Sequence, residues 1–175
     1  MNLMKDLLVP VEEYLSTTYE PDCEYVDGIL VERNVGERHH SDWQGRLMIY
    51  LGGLEEKLGI HVFPEWRVQV RANRFRVPDL TVVAGQVPGD PILRVPPFLV
   101  IEIVSPDDKP GELQRKVADY REFGIPYILL IYPDDPRFVL YTKDGEQDLR
   151  DGVLRTEDPA IEISLLKIHK LTLKR

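Results

Sequence analysis

Cysteine is nearly absent from this sequence of 175 residues. Cys23 stands alone, so no internal disulfide can form and no thiolate cluster can hold a metal; a small residue at the start of a strand is the expected role. Long apolar runs are also missing. None approaches the ~18 residues that span a bilayer, which excludes a membrane-spanning helix. The longest, Phe98 to Val104 and Tyr127 to Tyr132, have the length of buried strands. The opening residues, MNLMKDLLVP, contain neither a long apolar core nor a small-residue cleavage site, so no signal peptide and a cytoplasmic location are expected. There is no internal repeat, low-complexity segment or interdomain linker, and 1–175 is expected to form a single domain. Basic charge is in deficit, with 22 Lys and Arg against 30 Asp and Glu and a net charge of −8. That excludes an indiscriminate polyanion coat, whose affinity comes from neutralising phosphates. It leaves room for chemistry that needs carboxylates and only a local basic surface.

What is present is a core-forming composition, 43% hydrophobic, cut into short pieces by 14 prolines and 12 glycines. Residues 9–17 suggest a short helix with Pro10 in its first turn. CEYVDGILVER, 23–33, reads as a hairpin turning at Asp27-Gly28. Over 37–58, Trp43, Leu47, Tyr50, Leu51, Leu54 and Leu58 recur every three or four residues, which predicts a long helix. Gly59 is its expected cap, and Gly52-Gly53 a possible kink. Residues 62–71 alternate, with Val62, Pro64, Trp66, Val68 and Val70 on one side, as in a half-exposed strand. Further strands are expected at 77–84, 97–104, 126–132, 137–142 and within 153–165, and a helix at 111–123. This order predicts a mixed α/β (α+β) sandwich with an added N-terminal hairpin.

Two acids occupy strand positions that disfavour them. Asp79 follows Pro78 in VPDLTVV, and Glu102 lies inside FLVIEIV, on the face of Phe98, Val100 and Val104 by the two-residue period. A buried carboxylate there is costly unless paired, hydrogen-bonded or bound to metal. Either acid alone reads best as a strand-end residue capping a loop or meeting an arginine. Two of them on strands expected to be neighbours favour a metal site. Lys116 borders the inward stripe of its helix, set by Leu113, Val117, Tyr120 and Gly124. It reads equally as a snorkelling lysine or as the cation of a site. Together, two carboxylates suit Mg²⁺ or Mn²⁺, and an ammonium suits charge developing on a phosphoryl group.

These residues resemble the Uma-type restriction endonuclease family, within the PD-(D/E)XK nuclease superfamily. Pro78-Asp79 is similar to the family's PD strand, VIEIVSP to its second acidic motif, and K…Y…GIPY from Lys116 to Tyr127 to its following helix and strand. The superfamily's lysine two positions after the second acid is replaced here by Val104, and Lys116 stands where the Uma-type group carries its lysine. Glu112 replaces an aspartate common in the family. The resemblance covers residues 8–145 and implies a restriction-endonuclease-like mixed sheet flanked by helices. It implies a Mg²⁺- or Mn²⁺-dependent endonuclease cleaving DNA, with catalytic Asp79, Glu102 and Lys116, and metal held by Asp79, Glu102 and Glu24; the Ile103 carbonyl is a further expected ligand, because its strand position beside Glu102 faces the same edge. His40 matches the family's histidine-led helix, and His40, Arg74, Arg76 and Lys109 are the candidate nucleic-acid contacts. A homodimer is expected, since paired cuts in a duplex suit two-fold symmetry. The alternatives are a nuclease-fold binding or regulatory module without turnover, motivated by Val104 and the net acidity, and a self-associating structural protein pairing through strands 126–142.

Overall fold

In a computed structural model, residues 8–34 and 37–172 are described; the segment read above for a leader lies largely outside them. The elements run α1 (Val11–Ser16), β1 (Cys23–Val26), β2 (Ile29–Glu32), α2 (Arg38–Gly52), α3 (Glu55–Leu58), β3 (Ile60–Pro64), β4 (Val68–Arg71), β5 (Arg74–Arg76), β6 (Leu80–Ala84), β7 (Leu99–Ile103), α4 (Pro110–Phe123), β8 (Tyr127–Tyr132), β9 (Arg137–Thr142), β10 (Gly145–Asp148), β11 (Val153–Arg155), β12 (Glu162–Ser164) and α5 (Leu165–Thr172).

The central sheet has six strands in the order β10-β9-β8-β7-β6-β3. Only β7 and β8 run parallel within it, and α4 connects them. A second sheet, β2-β1-β5-β4, carries the hairpin, and β11 pairs with β12. Asp27 and Gly28 both take positive φ, 51° and 95°, which gives the hairpin a turn matched to strand twist.

The central sheet is covered on both faces, which explains the near-continuous apolar runs of β7 and β8. On one face Trp43, Leu47 and Leu51 of α2 and Leu165 and Ile168 of α5 pack against Leu80, Val82, Leu99, Ile101 and Ile103. On the other, Val117 and Tyr120 of α4 and Val68 and Val70 of β4 pack against Val100, Ile128 and Leu130. A smaller cluster, Tyr14, Tyr25 and Phe75, fixes α1 to the second sheet.

The expected strand 62–71 is two strands in different sheets. Glu65 takes φ 51° and breaks the run. Even-numbered valines are buried on both sides of the break, but Val62 faces the α2 core while Val68 and Val70 face the α4 core. The helix 37–58 does break at the glycine pair, with Gly53 capping α2, and Gly59 ends α3 at φ 62°. Strands β8 and β9 each have neighbours on both sides, and β10 and β3 form the sheet edges. Strand-edge pairing of two copies through β8 or β9, one way the self-associating alternative could work, therefore finds no free edge.

Candidate active site

Asp79 sits just before β6, where the chain leaves the second sheet and enters the central one. Its neighbour β7 delivers Glu102 from the face turned toward α4, beside Val100. Phe98, expected on that face, packs in the opposite cluster, because it precedes the strand. Lys116 reaches the same place from α4, which starts with Pro110 at its first turn and stops at Gly124 in the left-handed conformation, φ 95°. Glu24 arrives from β1. The four side chains, with Ile103, His40 and Arg33, line one cavity of about 700 Å³.

All three acids are buried, with Glu24 2%, Glu102 5% and Asp79 6% exposed. Asp79 Oδ2 accepts the Ile103 amide at 2.7 Å and faces His40 Nε2 at 3.1 Å. Its Oδ1 takes Arg33 Nη2 at 3.4 Å, and Gln44 donates to the Asp79 carbonyl at 3.0 Å. Burial opposes its charge, but His40, the Ile103 amide and Lys116 outweigh that and hold the carboxyl below its usual range. Glu24 behaves similarly: burial is outweighed by Lys116, Arg76 and the Val77 amide, and its pKa falls. Glu102 goes the other way. Burial, with the negative charges of Asp79 and Glu24, pushes its pKa up to about 7, although Lys116 and the Tyr120 hydroxyl pull it down.

Lys116 Nζ lies 3.0 Å from Glu24 Oε1 and 3.4 Å from Glu102 Oε1. Burial disfavours its ammonium, yet Glu102, Glu24 and Asp79 more than compensate, and its pKa rises. Tyr120 donates to Glu102 Oε1 at 2.5 Å. His40 is likewise raised: burial works against the imidazolium, and the hydrogen bond and charge of Asp79 overcome it.

Glu24, Asp79, Glu102, Ile103, Lys116 and His40 thus come together. Lys109 lines the cavity mouth with a side chain 79% exposed. Arg74 and Arg76 also line the cavity, but their guanidinium groups face the protein's own acids. Arg76, 5% exposed, binds Asp119 and Glu24, and Arg74 binds Asp119 and Asp27. Sequence reading missed Arg33, Gln44 and Asp119, and gave Tyr120 no role beyond packing. Tyr120 was open to discovery, since it lies four residues after Lys116 on one helical face. Nothing local marks Arg33, which meets Asp79 from 46 residues away.

A divalent ion fits this donor set. Asp79 uses three of its roughly four acceptor sites, and Glu102 keeps unused lone pairs. Glu102, raised chiefly by burial and then by the charges of Asp79 and Glu24, is the carboxyl that a dication would relieve most. Among the described residues no three His, Cys, Asp or Glu side chains form a ready metal cage. The protein would supply part of the shell and leave the rest to water and phosphate, as Mg²⁺ sites commonly do.

Comparison with known proteins bears on the fold and the family. The chain is similar to a crystal structure of a "putative nuclease belonging to DUF820" from Anabaena variabilis, at 20% identity and a TM-score of 0.80 over 93% of this chain and 99% of that one; at this identity the likeness establishes the fold. No curated protein matches significantly. The family model described as "Putative restriction endonuclease" matches residues 11–172, nearly the whole chain, and on that match the protein belongs to the Uma2 family.

Proposed function

We propose that this protein is a metal-dependent endonuclease that hydrolyses DNA phosphodiester bonds. One observation carries the reading: the carboxylates of Asp79, at the entry to β6, and Glu102, within β7, and a helix ammonium, Lys116, converge in one open cavity although Lys116 follows Asp79 by 37 positions.

Asp79, Glu102 and the Ile103 carbonyl would hold Mg²⁺ or Mn²⁺, with Glu24 behind them. A bound dication polarises a phosphoryl oxygen and lowers the pKa of water. The chain's own residues do the rest. The Ile103 amide and His40 fix Asp79, and Tyr120 fixes Glu102. Lys116 places a positive charge where the attacked phosphate gains negative charge, and holds an approaching water by hydrogen bond. His40 and Lys109 offer cations along the wall to the phosphates on either side, while Arg33 is held by Asp79, Asp22 and Glu65. Arg74 and Arg76 act from beneath, through Glu24 and Asp119.

The test is nicking of supercoiled plasmid. Cleavage is expected with Mg²⁺ or Mn²⁺ and none in EDTA. Asp79→Ala and Glu102→Ala are each expected to lower it at least ~100-fold, and Lys116→Ala ~10- to 100-fold. Activity that survives either acid's removal, or chelation, refutes the mechanism.

A second reading is a nuclease-fold binding module without turnover. It is favoured by Lys116 being held between Glu24 and Glu102, and by Val104 at the superfamily's lysine position. It expects no Mn²⁺ heat in calorimetry of the folded protein. A homodimer is proposed as well, and sedimentation velocity with and without DNA tests it.

A further inference from the structure

Asp119 is buried, 3% exposed, and has entered so far only as a partner of Arg74 and Arg76. It lies one helical turn after Lys116 on α4 and points to the second sheet. Its Oδ2 accepts Arg76 Nε at 2.8 Å and Nη2 at 2.6 Å, and its Oδ1 accepts Arg74 Nη1 at 2.6 Å. Arg76 continues with Nη1 to Glu24 Oε2 at 2.8 Å. The other oxygen of Glu24 takes the Val77 amide at 2.9 Å and Lys116 Nζ at 3.0 Å. Lys116 returns the path to α4. Four charges of alternating sign, Asp119, Arg76, Glu24 and Lys116, therefore close a ring, with one turn of helix joining the last to the first.

A lysine has a flexible four-carbon stem, and its ammonium is a point charge that fits many geometries. Packing alone fixes such a group poorly. The ring supplies what packing lacks. The planar fork of Arg76 is set by two donors on one Asp119 oxygen, and its remaining nitrogen sets Glu24. Glu24 in turn gives Lys116 an acceptor closer than either oxygen of Glu102.

We propose that Asp119 is a positioning residue: through Arg76 and Glu24 it sets where the Lys116 ammonium stands beside Glu102, and hence the rate of bond cleavage. The role in rate rests on the hydrolytic reading above; the placement of Lys116 does not. An ion pair that merely attached α4 to the second sheet would change thermal stability and leave the rate of folded protein alone.

The experiment pairs kinetics with crystallography. Plasmid cleavage by Asp119→Asn, assayed well below its melting temperature, is expected to show kcat reduced about tenfold or more with KM nearly unchanged, the pattern of an interaction acting at the chemical step. A crystal structure of the variant is expected to show Lys116 Nζ beyond hydrogen-bond distance of Glu24, against contact in the wild type. Unchanged kcat in a folded variant, or an unmoved Lys116, overturns the proposal. If Asp119→Asn fails to fold, Arg76→Met/Asp119→Leu removes both buried charges at lower cost, and the same pattern is expected of it. If the wild type cuts no DNA, the hydrolytic reading falls, and the two crystal structures still decide whether Asp119 places Lys116.

Discussion

Glu102 is a carboxyl whose surroundings favour its proton. Burial and the charges of Asp79 and Glu24 raise its pKa from 4.5 to about 7. Between those values the folded chain holds a proton that the unfolded chain has released. Stability on Glu102's account therefore falls as pH rises through that window, by a few kcal/mol at most, and stays lost above it. Glu102→Gln has no such component. Thermal unfolding in EDTA at pH 5 and pH 8 is expected to show a larger drop for wild type than for Glu102→Gln; equal drops would contradict the burial argument. His40 behaves as a raised base: its contribution is present below the unfolded value of 6.5 and is lost as pH climbs through the higher folded value. The Asp79 contribution lies in acid, present above 3.8 and lost as pH falls through its depressed value. Tyr120→Phe deletes the hydroxyl that meets Glu102 and leaves a buried oxygen short of a donor. Urea denaturation is expected to report a loss of ~1–3 kcal/mol.

Helix α4 is the element on which the site turns. One helical face supplies Lys116 and Tyr120 to Glu102 and Asp119 to the arginines of β5. Its end is fixed by Gly124, whose φ of 95° disfavours any residue with a Cβ. A Cβ there would meet Pro96 Cγ only at 3.7 Å, an ordinary contact, so the cost of Gly124→Ala is conformational. About 1–2 kcal/mol is expected in chemical denaturation, with the site intact. On the opposite face α2 is held by Trp43, 1% exposed and edge-on to Phe138. Trp43→Ala is expected to cost ~3–5 kcal/mol by the same measurement, because the cavity left between α2, α5 and the sheet cannot close.

Across the whole molecule, the net charge of −8 and the buried carboxylates of the cavity both favour uptake of a cation. A dication beside Asp79 and Glu102 would stabilise the charged form of the buried Glu102. An ion that binds only the folded state at a hundred times its Kd adds ~2.7 kcal/mol. Mn²⁺ is expected to raise the melting temperature of wild type by roughly 2–4 °C per kcal/mol gained, and to do so far less in Asp79→Ala or Glu102→Ala. A comparable rise in all three proteins would place the ion elsewhere. No helix among the described residues is long and apolar enough to cross a membrane, and the −8 charge makes any DNA affinity depend on the local arginines and lysine of the cavity wall.

Local chemistry was readable from the chain alone. The Asp27-Gly28 turn, the α2 stripe, the apolar runs of β7 and β8, and the lone acids Asp79 and Glu102 are each set by neighbours a few residues away, so period and turn chemistry reveal them. The break at Glu65 was hidden, because alternation continues across it in sequence while the two halves enter different sheets. The ring from Asp119 to Lys116, the burial of Arg76 and the approach of Arg33 to Asp79 were hidden for the same reason. They join side chains 43 to 92 residues apart, and only the packing of one sheet and its helix against another brings such charges out of water and into contact.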